Sequence, residues 1–165
     1  MSQLYSLPAQ AGPFDTLIYM EKVPKDSLPA LVERVLQKLE KREDANRAAL
    51  ITLQGDLGAG KTTFTQALAK RLGVEEAVVS PTYVLMKSYA LKNQPFERLV
   101  HIDAYRLNDP GEFAALEPAS FLMDTGAIVV IEWPERIAGA LPMPDVALKL
   151  SAEDADAEER YIEGI

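Results

Sequence analysis

The sequence predicts an α/β domain in which a mainly parallel central sheet is flanked by helices and extended by an antiparallel hairpin. Three observations carry this. The apolar run 49–53 passes through a glycine-rich loop into a helical pattern that begins at Thr62, which is a strand–loop–helix unit. Residues 127–131 are an unbroken apolar and largely β-branched stretch, as expected of a strand buried on both faces. Strand-like residues in 84–91 and the second run 96–102 are separated by the turn Lys92-Asn93-Gln94-Pro95, which reads as a hairpin.

The glycine-rich loop is Gly55-Asp56-Leu57-Gly58-Ala59-Gly60-Lys61-Thr62. Its glycines let the backbone turn and bring N–H groups close to a phosphate with no Cβ in the way. In this pattern Lys61 supplies a point charge to the β and γ phosphates, and the Thr62 hydroxyl faces Mg²⁺. The positive end of the following helix dipole points at the same anion. The fold class is therefore that of P-loop NTPase-like domains.

The other elements follow in order. Residues 1–14 are expected to be a poorly ordered lead-in and 15–165 one domain, since 165 residues suffice for a single core. A short strand is expected at 16–20. From the caps Asp26 or Ser27, apolar residues recur at Leu28, Leu31, Val32, Val35, Leu36 and Leu39, one face of an amphipathic helix with Pro29 in its first turn. The charged segment 40–47 reads as a solvated surface connection. The helix after the loop presents Phe64, Ala67, Leu68 and Leu72 on one face, and Gly73 stops it. Asp109-Pro110-Gly111-Glu112 has the form of a capping box, with short helices expected at 110–116 and 118–123. Late strands at 146–150 and 160–162 flank an acidic turn.

Composition narrows the function. With 48% apolar and 25% charged residues the chain is ordinary for a globular protein. It has no cysteine, so disulfide frames and thiolate metal sites are excluded. No basic segment followed by an apolar one opens the chain, and no apolar run approaches the ~20 residues that span a bilayer; the expectation is a cytoplasmic protein with no membrane association. The net charge of −8 argues against a broad nucleic-acid surface, because such binding relies on Lys and Arg neutralising phosphates.

A phosphate-loop enzyme also needs a carboxylate for Mg²⁺ and a group that orients the attacking water. Asp103 and Glu132 each follow an apolar strand, and ligands of open α/β sheets bind at the carboxyl ends of strands. Either could reach the metal. Thr82, in Ser80-Pro81-Thr82, lies on a loop where nucleotide hydrolases often sense the γ-phosphate. Trp133 reads chiefly as a packing residue, and His101, the only histidine, as a hydrogen-bonded structural residue rather than a base. For Arg106 the sequence leaves open a carboxylate partner or a phosphate.

The phosphate loop with Thr63-Phe64, then Ser80-Pro81-Thr82-Tyr83, His101-Ile102-Asp103-Ala104-Tyr105-Arg106-Leu107 and Ile131-Glu132-Trp133-Pro134-Glu135 occur in this order. Over about residues 15–150 the chain resembles the TsaE family. The resemblance implies a Mg²⁺-dependent bacterial ATPase required for threonylcarbamoylation of the tRNA adenosine beside the anticodon. It acts on a TsaD–TsaB transferase complex, so that tRNA is met only through that complex. Residue by residue, it implies that Asp56, Leu57, Gly58, Ala59, Gly60, Lys61, Thr62 and Thr63 hold the ATP phosphates, with Thr62 and Glu132 at Mg²⁺. Asp103 is implied in turnover, beside Lys61, and Thr82 in a switch-like loop. The chain departs from the family at Ser27-Leu28-Pro29-Ala30, where Thr or Ser followed by Leu-Gly is usual, and Arg160 is the one late arginine available to a nucleotide.

Three rival readings share the loop. A small-molecule or nucleotide kinase would need a lid with several arginines, whereas Arg71, Arg98, Arg106, Arg136 and Arg160 are scattered. A GTP switch would carry Asn-Lys-x-Asp, which does not occur. A non-hydrolytic nucleotide-sensing subunit is compatible with every motif.

Overall fold

The structure, a computed structural model, describes residues 20–81, 83–152 and 159–164. The expected lead-in, residues 16–19 of the first expected strand, Thr82 and most of the acidic turn lie outside the described residues.

Seven strands form one sheet: β1 (Met20–Pro24), β2 (Ala49–Gln54), β3 (Met86–Ala90), β4 (Arg98–Asp103), β5 (Ala127–Glu132), β6 (Val146–Ser151) and β7 (Glu159–Glu163), in the order β1-β7-β6-β2-β5-β4-β3. The four central strands β6, β2, β5 and β4 run parallel. The expected hairpin is β3–β4, antiparallel on one edge, and β7 with β1 makes a second antiparallel extension on the other. Of the strand expected at 16–20 only Met20 is described, and it opens β1, which runs on to Pro24. Its position follows from pairing, Met20 against Glu163 through Pro24 against Glu159, and Pro24, which has no N–H to give a ladder, closes this edge strand.

Two cores sandwich the sheet. Side chains alternate between its faces with period two. Ala49, Ile51, Leu53, Ile128, Val130 and Leu99 pack under α1 (Leu28–Glu40) and α2 (Lys61–Arg71). Leu50, Val129, Ile131, Val100 and Ile102 pack on the other side with α3 (Pro110–Ala114) and α4 (Ala119–Leu122), through Phe113, Phe121 and Leu122. In α1 the expected positions Leu31, Val32, Val35 and Leu39 are buried. Ser27 precedes it without a side-chain cap and is itself the last residue of a 3-10 turn. The Asp109 side chain caps α3 through the Gly111 and Glu112 N–H groups, while Glu112 reaches back to Asn108 N–H rather than to Asp109.

The connection at 40–47 is not wholly solvated. Arg47 is half-buried and donates twice to the Asp145 carboxylate, at 2.9 and 3.1 Å. Asp145 also accepts from the Leu50 N–H at 2.8 Å. This clamp ties the start of β2 to the turn before β6. Among the described residues no helix is long and apolar enough to cross a membrane.

Candidate functional site

Register converts scattered motif residues into one site. In the parallel ladder Leu53 lies opposite Glu132, and Glu132 opposite Asp103. Three strand ends are thus level, about 4.8 Å apart from neighbour to neighbour, and the phosphate loop leaves β2 just beyond them. Alternation decides the face. Leu99 and Val130 point toward α2, so His101, Asp103 and Glu132 do as well.

The loop's shape requires glycine at its start. Gly55 has φ +142°, and a Cβ there would stand 2.2 Å from the Leu150 carbonyl oxygen. Gly60, φ +99°, precedes α2 in the left-handed region and offers no capping side chain. The N–H groups of the first turn of α2 are therefore without a side-chain cap at the point where the helix dipole favours an anion.

Lys61 is 5% exposed. Its Nζ donates to the carbonyls of Gly55 at 2.6 Å and Asp56 at 2.8 Å, and lies 3.9 Å from the centre of the Trp133 ring. Burial holds its pKa below the usual 10.5, opposed by the charges of Glu132, Glu135, Asp103 and Asp56. The ammonium's three donors are met by two carbonyls and a ring face, groups that a phosphate oxygen can replace.

Glu132, 2% exposed, accepts from the Thr62 hydroxyl at 3.0 and 3.1 Å on its two oxygens. His101 Nε2 is 2.8 Å from Oε1 of the same carboxylate. Asp103, also buried, accepts from Ser80 Oγ at 2.8 Å and from the Tyr105 N–H at 3.0 Å. It therefore caps the 3-10 turn Ala104–Arg106 and holds the loop that contains Thr82. That loop is further fixed by the Leu85 carbonyl, which accepts from Asp103 N–H at 3.0 Å.

Thr62, Lys61, Glu132, Asp103 and the loop 55–60 thus come together as expected, and Thr82 lies outside the described residues. His101 is hydrogen-bonded as expected, and its partner is Glu132. Trp133 packs against the core on the α3 side and also covers Lys61. Its left-handed φ of 60° swings the chain after β5, and its N–H donates to Leu53 O. Arg106 meets no carboxylate among the described residues and lies 4.4 Å from the Tyr83 ring centre, while Arg136 is 5.7 Å from that of Tyr105. Sequence reasoning missed the Ser80–Asp103 and His101–Glu132 contacts. Alternation could have found the second, because His101 stands two residues before Asp103 on a strand.

Among the described residues no three His, Asp or Glu side chains converge as a metal cluster. A hydroxyl and one carboxylate remain, and these suit Mg²⁺, which is usually held by one or two carboxylates together with waters and substrate phosphates.

A P-loop NTPase-like domain is what this sheet, loop and helix define. Comparison makes the assignment particular. The family model "Threonylcarbamoyl adenosine biosynthesis protein TsaE" matches residues 25–162, and the chain belongs to the TsaE family. It is 44% identical over 112 residues to the tRNA threonylcarbamoyladenosine biosynthesis protein TsaE of Streptomyces coelicolor, covering 67% of this chain and 73% of that one. It is 36% identical over 108 residues to the protein of the same description from Haemophilus influenzae, where the match spans 66% of each chain, just under two thirds of that relative. The crystal structure of Bacillus subtilis YdiB superposes with a TM-score of 0.61 at 26% identity, covering 91% of this chain and 87% of that one.

Proposed function

We propose that this chain is the ATP-binding and ATP-hydrolysing subunit needed for the threonylcarbamoyl modification of the tRNA adenosine next to the anticodon. It acts in the cytoplasm through a TsaD–TsaB-like transferase complex. The observation that carries the reading is the convergence of Lys61, Thr62 and Glu132 beside a phosphate loop whose helix start has no side-chain cap. Family membership supplies the biological setting.

In this reading the backbone N–H groups of 56–63 cradle the phosphates. Lys61 leaves the Gly55 and Asp56 carbonyls for the β and γ phosphates. Thr62 and Glu132 hold Mg²⁺, which offsets negative charge on those phosphates. Asp103 orients the attacking water, and the Ser80–Asp103 contact couples that orientation to the loop carrying Thr82. A kinase reading has less support, since Arg106 and Arg136 lie over tyrosine rings instead of lining a lid.

The nucleotide-sensing reading keeps one specific support: both Asp103 oxygens are engaged in holding backbone and loop. Phosphoryl transfer needs positive charge on the γ-phosphate, and a cation supplied in trans contributes about 10³–10⁵ in rate. Hydrolysis should therefore be slow alone and faster once a partner supplies that charge. Single-turnover hydrolysis is measured for the chain alone, with the TsaD–TsaB complex, and for Thr82→Ala with that complex. A rise of about 10³-fold with the complex, diminished in Thr82→Ala, supports the proposal. Equal rates alone and in complex contradict it.

A further inference from the structure

We propose that His101 is a positioning residue for Glu132, fixing the carboxylate that the site presents to Thr62 and to a divalent cation. The inference rests on the Mg²⁺-nucleotide reading of the site.

Three features lead to it. His101 is completely buried in β4, on the face that carries Asp103 and Glu132. Its Nε2 lies 2.8 Å from Glu132 Oε1. Its Nδ1 is buried and has no hydrogen-bond partner among the described residues. An ionised carboxylate only accepts, so the 2.8 Å contact places a ring proton on Nε2. A buried polar atom without a partner is destabilising. Neighbouring strand positions Leu99, Val100 and Ile102 show that an apolar side chain suits this strand. What a leucine at 101 could not supply is the Nε2–H.

That donor has a defined task. Among the described residues the Glu132 side chain has two hydrogen-bonding partners, Thr62 and His101. When the Thr62 oxygen turns to a cation, its hold on Glu132 changes, and the tie from β4 to β5 remains. His101 thus keeps a flexible glutamate in place while its other neighbour changes role. Partners of this kind, one shell beyond a metal, typically alter metal affinity 10–100-fold when removed.

Because the chain has a single histidine, both ring nitrogens can be assigned without ambiguity by long-range ¹H–¹⁵N NMR of the intact protein. The expected spectrum has a protonated Nε2, whose signal moves when Mg²⁺ and a non-hydrolysable ATP analogue are added. A bare Nε2 overturns the proposal. In parallel, the Mg²⁺ concentration giving half-maximal analogue binding is measured for the parent, His101→Leu and His101→Gln, the last keeping an N–H at the ε position. The leucine variant should need about 10-fold more Mg²⁺ or beyond, with Mg²⁺-free affinity unchanged, and glutamine should recover most of the loss. Parent-like Mg²⁺ dependence in a folded leucine variant, or equal losses in both variants, refutes it. If leucine prevents folding, the glutamine variant and the parent spectrum still decide. A parent whose analogue binding ignores Mg²⁺ fails the reading of the site and the cation part of this inference together, while the Nε2 signal still reports whether His101 holds Glu132.

Discussion

The two ends of the parallel strands both hold buried charge, and they use it differently. At the amino ends, the Arg47 guanidinium meets the Asp145 carboxylate twice, the Ala48 and Met143 carbonyls accept from the same two terminal nitrogens, Nε lies 3.3 Å from the Asp44 carboxylate, and Asp145 accepts the Leu50 N–H. Every charge there is spent on another part of the fold. At the carboxyl ends, Lys61 rests on carbonyls and a ring face, Glu132 holds a hydroxyl and an imidazole, and the start of α2 carries no side-chain cap. Burial of charge alone therefore does not distinguish a clamp from a site. The distinction lies in whether the partners can be exchanged for a ligand.

The comparison predicts opposite consequences at the two ends. Asp145→Ala takes the buried carboxylate from Arg47, leaving it the exposed Asp44 and two carbonyls, and strands the Leu50 N–H; loss of one partner from a buried pair costs about 3–5 kcal/mol. Urea unfolding should show a loss near the lower figure, since Arg47 is partly exposed, while Mg-ATP affinity of the folded fraction stays at the parent value. A stability change within error would mean that the clamp is ornamental and the contrast false.

At the other end, Asp103→Ala should leave Mg-ATP binding near the parent level and lower kcat in the assembled complex by about 10²-fold, the lower range for a positioned proton acceptor. Parent-like hydrolysis would reduce Asp103 to the capping and loop-holding role its contacts already provide. Glu132→Gln should behave differently, raising the Mg²⁺ requirement for binding, because it removes charge from the group facing Thr62. A Mg²⁺ titration that leaves Glu132→Gln unchanged would remove the metal assignment.

The smallest effect concerns pH. Burial lowers the Lys61 pKa from 10.5, and phosphate binds the protonated form. Affinity is full below the lowered value and declines as pH rises through it, so the decline should begin earlier than for an ordinary lysine. In the same window the unfolded chain holds more protons than the folded one, so stability of the ligand-free protein gains with rising pH from this group. Binding measured across the alkaline range should show the decline in the parent and not in Lys61→Arg.

The central architecture was legible because it depends on local pattern. The run 49–53, the glycine spacing and the unbroken apolar stretch at 127–131 each specify an element without reference to distant partners, and the α1 stripe repeats at helical spacing. Asp103 and Glu132 were legible as strand-end acids. The contacts that complete the site were less so. Arg47 and Asp145 are separated by 98 positions, and no composition rule pairs them. Trp133 reads as packing until its left-handed backbone turns the ring over Lys61. Arg106 lies over the exposed Tyr83 ring, a contact that no local pattern signals. The placement of β1 depended on its register with β7, which sequence periodicity alone does not give.

The most direct test of the carboxyl-end site is a calorimetric titration of Mg-ATP into the parent and into Lys61→Ala, each shown to be folded by its unfolding transition. Hydrogen bonds to charged groups contribute about 1.5–3 kcal/mol, so the variant should bind at least about 10-fold more weakly with its stability largely retained. Unchanged affinity in a folded Lys61→Ala protein would contradict the account.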